Sequence, residues 1–198
     1  MKVPIWKEAE AKFSTITDHY SLAPHNHFVI FETIKLLERP VIMELGVCHG
    51  RTSALLAYIA QCREGEYHGI DTFELEGTAD EYRAALQALE LPFNLHVGST
   101  NGYHPVQPEH RFKACPNWNT PLDVLLIDAS HDMPNVQLDC EQWIPHVKPG
   151  GIVIFDDWVE GPPGSNHHWG IDYYGNQHTE GWQQLSPPGY KLLIKRRP

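Results

Sequence analysis

Two kinds of apolar spacing alternate along this chain. Short segments rich in apolar residues occur at VIMEL (41–45), YHGID (67–71), FNLHVG (93–98), VLLID (124–128) and IVIFDD (152–157). Between them, apolar residues recur every three to four positions: Ile30, Phe31, Ile34 and Leu37 in 26–38; Leu55, Tyr58, Ile59 and Cys62 in 52–62; Tyr82, Ala85, Leu86 and Leu89 in 78–90; Val136, Cys140, Trp143 and Val147 in 133–147. The runs have the length of buried strands, and the spaced sets trace one face of a helix. Strands that alternate with helices in this way predict an α/β fold, with a mostly parallel central sheet covered by helices on both faces.

Local chemistry refines the boundaries. Asn26 is placed to cap the first of these helices and Pro40 ends it. Thr78 and Glu81 have the spacing of a capping box. Pro134 suits the first turn of the helix over 133–147, and Lys148-Pro149-Gly150-Gly151 reads as a turn. Residues 101–121 read as a long loop. A final strand is expected over 189–197, near a sheet edge because its short apolar core is flanked by charges. We take the whole chain as one domain, with residues 1–25 as an N-terminal extension and 159–188 as a lid or substrate loop.

Composition narrows the function. With 198 residues, 41% of them hydrophobic, the chain is large enough for one sizeable core. No apolar run approaches the roughly 18 residues of a membrane span, and the start MKVPIWKEAEAKF lacks the apolar core of a signal peptide. Cys48, Cys62, Cys115 and Cys140 form no CxxC pair, as expected of reduced thiols in a cytoplasmic protein. A net charge of −10, with the only basic cluster at Lys195-Arg196-Arg197, argues against nucleic acid as a partner. The expected partner is a small molecule; the sequence leaves open whether the chain forms a homo-oligomer.

Ligands of open α/β sheets bind beyond the carboxyl ends of the strands. There the sequence places Glu44, Gly46 and Gly50; Asp71, Thr72 and Phe73; Gly98, Ser99 and Thr100; Asp128, Ser130 and His131; and Asp156, Asp157 and Trp158. The first turn, Glu44-Leu45-Gly46-Val47-Cys48-His49-Gly50, lacks the Gly-x-Gly-x-x-Gly spacing of a pyrophosphate site. That disfavours a nicotinamide oxidoreductase. Asp71 ends the second strand, where an acid can accept both hydroxyls of an adenosine ribose; a helix cap or a loop acid is the plainer alternative. Asp128, Asp156 and Asp157 end neighbouring strands, which lie about 4.8 Å apart. Their charges would repel unless a cation sat between them, and a hard divalent ion such as magnesium takes oxygen ligands. The alternative is that one caps a helix and another faces solvent. His131 can serve as a general base beside that cation, or be a surface histidine at a helix start capped by Asp132. Trp158, His167, His168 and Trp169 can wall an acceptor site or form a local loop cluster.

The stretches 41–53, 67–73, 125–151 and 152–158 resemble class I S-adenosylmethionine (SAM)-dependent methyltransferases, in particular the group related to macrocin O-methyltransferase and the cephalosporin hydroxylase-like proteins. The spacing Ile-Asp-x-x-His, then Lys-Pro-Gly-Gly and Asp-Asp, is the most specific part, and the resemblance spans about residues 26–158. It implies a Rossmann-like methyltransferase fold. It places the methionine part of SAM on Glu44, Gly46, Val47, Cys48 and Gly50, the ribose on Asp71 with Thr72 beside it, and the adenine near Ser99. Asp128, next to the cofactor, would share Mg2+ with Asp156 and Asp157, and His131 would act with Asp128 in catalysis. The implied reaction is methyl transfer to a hydroxyl of a sugar or natural product. The rivals are other metal-dependent chemistry on the same fold, and a SAM-binding or interaction module without transfer. The chain departs from the family pattern after Trp158, where the sequence does not place the usual crossover helix.

Overall fold

A computed structural model describes residues 1–18, 22–74, 77–102, 118–158 and 171–198. Its helices are α1 (Trp6–Phe13), α2 (Pro24–Ile34), α3 (Arg51–Arg63), α4 (Ala79–Ala88), α5 (Met133–Trp143) and the one-turn α6 (Asn176–His178). Its strands are β1 (Val41–Leu45), β2 (Glu66–Asp71), β3 (Asn94–Val97), β4 (Leu122–Ile127), β5 (Val147–Asp156), β6 (Gln183–Gln184) and β7 (Leu192–Arg196). The sheet order is β3-β2-β1-β4-β5-β7-β6. β1 to β5 pair in parallel, while β7 runs antiparallel to β5 and β6. The final strand therefore lies one place in from the edge.

The period-2 geometry of the strands divides the core into two layers. Ile42, Tyr67, Val124, Leu126, Ile152 and Ile154 face one side, with α1, α2, α3 and α4 packed over them. Met43, Leu45, Ile70, Leu125, Ile127, Val153 and Phe155 face the other, under α5. β4 is buried along its whole length, as a central parallel strand must be.

Several boundaries differ from the sequence expectation, each for a local reason. Asn26 caps nothing: Pro24 starts α2 two residues earlier and Asn26 is buried inside the helix. That helix stops at Ile34 rather than at 38. The helix expected over 133–147 ends at Trp143, and a 3-10 turn over Ile144–His146 follows it around Pro145. Lys148 to Gly151 lie within β5 rather than in a free turn, and the pairing register with β4 shifts there, between Leu122 and Val124. Within the N-terminal extension, Ala9, Phe13, Ile16 and Leu22 lie in the first core layer. Thr78 accepts from the Glu81 N–H as its spacing predicts, and Asp132 caps α5. Among the described residues no helix is long and apolar enough to cross a membrane.

Candidate active site

The strand ends are aligned by backbone hydrogen bonds that continue past the sheet. Gly46 N donates to Ile70 O, Asp128 N to Leu45 O and Gly98 N to Asp71 O, each at 2.9 Å. Glu44 pairs with Leu126, and Leu126 with Ile154, so two steps on Gly46, Asp128 and Asp156 stand in one row. Gly46 has to be glycine. Its φ is +83°, and a Cβ there would lie 2.2 Å from the Asp128 carbonyl oxygen. The turn after β1 is thereby pressed against the end of β4. Gly50 (φ +90°) begins α3, and a Cβ there would meet Tyr82 and Leu86 of α4 at 2.9 Å.

Three non-glycine residues at these strand ends also occupy the left-handed region: Cys48 (φ 45°), Phe73 (φ 56°) and Asp157 (φ 55°). Each such residue costs on the order of 1–2 kcal/mol and persists where its surroundings over-determine it.

Glu44 does not face the edge. Strand alternation sends it into the first core layer, 1% exposed. There Ser53 of α3 donates to its Oε2 at 2.7 Å, Tyr67 of β2 donates to the same oxygen, and the Tyr67 hydroxyl lies 3.1 Å from that of Tyr82. Burial pushes the carboxyl up to about 8, against the pull of Tyr67 and Ser53. Asp71 receives the turn itself: its Oδ2 accepts from Val47 N at 2.8 Å and Cys48 N at 2.9 Å, and its Oδ1 from Phe73 N at 2.7 Å. Val47 is buried, while Cys48 and Thr72 are half-buried.

On the other side of the turn stands a cluster of charge. His131 lies between two carboxylates, its Nε2 3.7 Å from Asp128 Oδ1 and its Nδ1 3.5 Å from Asp157 Oδ2. Burial opposes protonation of the imidazole, but the two carboxylates outweigh it and raise the group to about 10. Asp128 is pushed up by burial to about 6, and Asp156 to about 8 by burial and by Asp128 and Asp157. Asp156 is 5% exposed and its Oδ1 makes no hydrogen bond. The donor set suits a hard cation: three carboxylates from two adjacent strand ends, one with an orphaned buried oxygen. Among the described residues the side chains do not already converge as a ready-made cage of three or more ligands. As placed, the His131 imidazolium balances the charge.

Ser99 is buried, and its hydroxyl accepts from Asn101 N and Gly102 N at 3.3 and 2.8 Å. The loop it starts is stapled to α5. Asn101 Nδ2 donates to Asn135 Oδ1 and Asp139 Oδ1, Gln142 to Asn101 O, and Trp143 to Thr100 O. Asp139 is fully buried and pushed up to about 7 by that burial. Sequence reasoning missed this network and the Ser53–Tyr67–Tyr82 set. Their periodicity was visible, but their partners lie far along the chain. Trp158 packs into the second core layer rather than into an open wall. His167, His168 and Trp169 fall outside the described residues.

Comparison with known proteins bears on the family and the fold. A family model described as "Methyltransferase domain" matches residues 43–158, more than half of the chain. Among curated proteins, none matches by sequence. An O-methyltransferase from Bacillus cereus in complex with SAH is 17% identical over 98% of this chain and 93% of its own, with a TM-score of 0.67. The O-methyltransferase TomG from Streptomyces achromogenes, involved in tomaymycin synthesis and solved with SAM, is 17% identical over 97% and 88%, TM-score 0.65. CalS11, a TDP-rhamnose 3'-O-methyltransferase of calicheamicin biosynthesis, is 21% identical over 88% and 81%, TM-score 0.59. At these identities the likeness is one of fold: a mostly parallel, Rossmann-like sheet with helices on both faces.

Proposed function

This chain belongs to the methyltransferase-domain family, and from that premise we propose that it transfers the methyl group of SAM to a hydroxyl of a small molecule, a sugar or natural product. The whole chain would act as one domain. The observation that carries the reading is the contact of Gly46 with the Asp128 backbone, which sets a glycine-rich ligand turn directly beside the Asp128–His131–Asp156–Asp157 cluster. A methyl donor seated on the turn and an oxygen held at the cluster would be neighbours.

In this reading the turn from Gly46 to Gly50 approaches the methionine part of SAM through its backbone, Asp71 fixes the turn and faces the ribose, and the Ser99 loop borders the adenine. Asp128, Asp156 and Asp157 are the residues that would hold a divalent cation. Such an ion, magnesium for example, would lower the pKa of an acceptor hydroxyl and draw carboxylate charge away from His131. His131, now paired with Asp128 and Asp157, carries its proton at neutral pH. It can take one from the acceptor only when those carboxylates are otherwise engaged. The remaining contribution of the protein is to position the oxygen in line with the methyl group and to exclude water.

Transfer from labelled SAM, screened over sugars and phenols with and without chelator, tests this. Chelation is expected to lower turnover by about a hundredfold or more, within the several kcal/mol a Lewis acid supplies. Asp156→Ala is expected to abolish Mn2+ binding read by electron paramagnetic resonance. Full activity of an Asp156→Ala, Asp157→Ala double variant under chelator would remove the cation. Tight SAM binding with no transfer to any acceptor would make the chain a binding module instead.

A further inference from the structure

Two histidines meet at the far edge of the sheet, away from the strand ends. His68 lies on β2 and His96 on β3, the edge strand. Asn94 pairs with His68 and His96 with Ile70, so the two histidines are diagonal neighbours on the sheet face that carries Met43 and Ile70. Each stands three residues before a strand-end residue, Asp71 and Ser99, or about 10 Å back along its strand. His68 Nδ1 lies 3.2 Å from His96 Nε2, with the ring planes 15° apart. The other nitrogen of His68, Nε2, lies 3.3 Å from Glu66 Oε2 on the same strand. Trp118 stands edge-on to both rings, 4.8 Å from His68 and 6.3 Å from His96. The pair is shielded but still reached by water: the His68 side chain is 12% exposed and His96 is half-buried.

We infer that His68 and His96 chelate a transition ion, zinc for instance, that bridges β2 and β3. The inference is independent of the methyl-transfer reading. Neutral imidazole suits zinc, copper and nickel. Two imidazole nitrogens each 2.0–2.1 Å from a tetrahedral ion lie about 3.3 Å from one another, close to the 3.2 Å that already separates this pair. Glu66 selects the tautomer. An ionised carboxylate only accepts, so it holds a proton on His68 Nε2 and leaves the Nδ1 lone pair turned toward His96. As placed, His96 Nε2 then donates to that lone pair. With an ion between them, His96 carries its proton on Nδ1 instead, and both inward nitrogens present lone pairs. The ion sits beside the line that joins the nitrogens, and the broad χ2 of histidine permits the tilt. Among the described residues no third His, Cys, Asp or Glu completes a cage, so water fills the remaining positions and the ion exchanges freely. Its effect falls on β3, which it ties to β2 through side chains as well as through the ladder.

Calorimetric titration of the full chain with Zn2+, together with thermal melts, tests the pair. The strand-end carboxylates can also take a divalent ion, so Asp156→Ala is the background. That variant is expected to keep a zinc site, and adding His68→Gln or His96→Gln is expected to weaken it by roughly tenfold or more. At a hundredfold excess over Kd, Zn2+ should raise the melting temperature of the Asp156→Ala chain by about 5 °C or more, and the shift should vanish with either histidine. Glu66→Gln should weaken zinc by about tenfold, the usual worth of a group that orients a ligand. Cu2+ in place of Zn2+ should show nitrogen coupling by electron paramagnetic resonance, lost in the histidine variants. Zinc affinity and melting shift that are unchanged in both histidine variants overturn the inference. So does an Asp156→Ala chain that binds no zinc. Melts without metal identify a variant that fails to fold. If both histidine variants do, Glu66→Gln decides, because its side chain is 66% exposed, and unchanged zinc affinity there overturns the pair.

Discussion

At the residue scale, position within the strand decides what a charged group does. Glu44 sits in the run VIMEL beside the glycine-rich turn, and its neighbours in sequence suggest a ligand contact. Strand alternation turns it inward, and burial raises it from the ordinary 4.5 to about 8. The folded chain therefore keeps a proton that the unfolded chain releases between those values. The associated stability is fully present below about 4.5 and is lost as pH rises through about 8. Urea midpoints at pH 6 and pH 9 should show the wild type losing roughly 2 kcal/mol relative to Glu44→Gln over that interval. A parallel pH dependence in the two proteins would place the titration elsewhere. Glycine conformations separate in the same way. Gly46→Ala combines a left-handed φ with a Cβ 2.2 Å from a backbone oxygen, whereas Gly150 (φ +79°) has nothing within 4 Å. Chemical denaturation is expected to show a loss of about 3 kcal/mol or more for Gly46→Ala and about 1–2 for Gly150→Ala, since only the first adds a clash to the strain.

At the element scale, local signals succeed where the interaction is local. Thr78 and Glu81 are three residues apart, and the cap they predict is present: the Thr78 hydroxyl accepts from Glu81 N at 3.2 Å. Thr78→Ala should cost about 1 kcal/mol by denaturant titration and leave the slope of the transition unchanged. Asn26 illustrates the opposite. Its residue type suits a cap, but Pro24 can open a helix two residues earlier, and packing then buries Asn26. The side-chain network after β3 is invisible in the sequence for a related reason. Asn101, Asn135 and Asp139 are ordinary polar residues until α5 lies against the loop and satisfies them.

At the scale of the whole molecule, the N-terminal segment changes meaning. Read along the chain it is an extension; in the fold it contributes Ala9, Phe13, Ile16 and Leu22 to the main core. Removing residues 1–22 should lower the melting temperature by about 10 °C or more, given several buried apolar side chains at about 1.5–3 kcal/mol each. Retention of the full melting temperature would show α1 to be dispensable. What the sequence by itself determined is the order of strands and helices, the parallel sheet from β1 to β5 and the convergence of glycines and carboxylates at one edge. Those follow from periodicity and from residue types at strand ends, which are local properties. What only the tertiary structure decided is which of those carboxylates remain available. Glu44 is taken by Ser53 and Tyr67, Asp71 by the turn, and Asp128 and Asp157 each by His131. Availability depends on what packs against a group, and the partners of these side chains come from other elements, brought within reach only by the folded sheet.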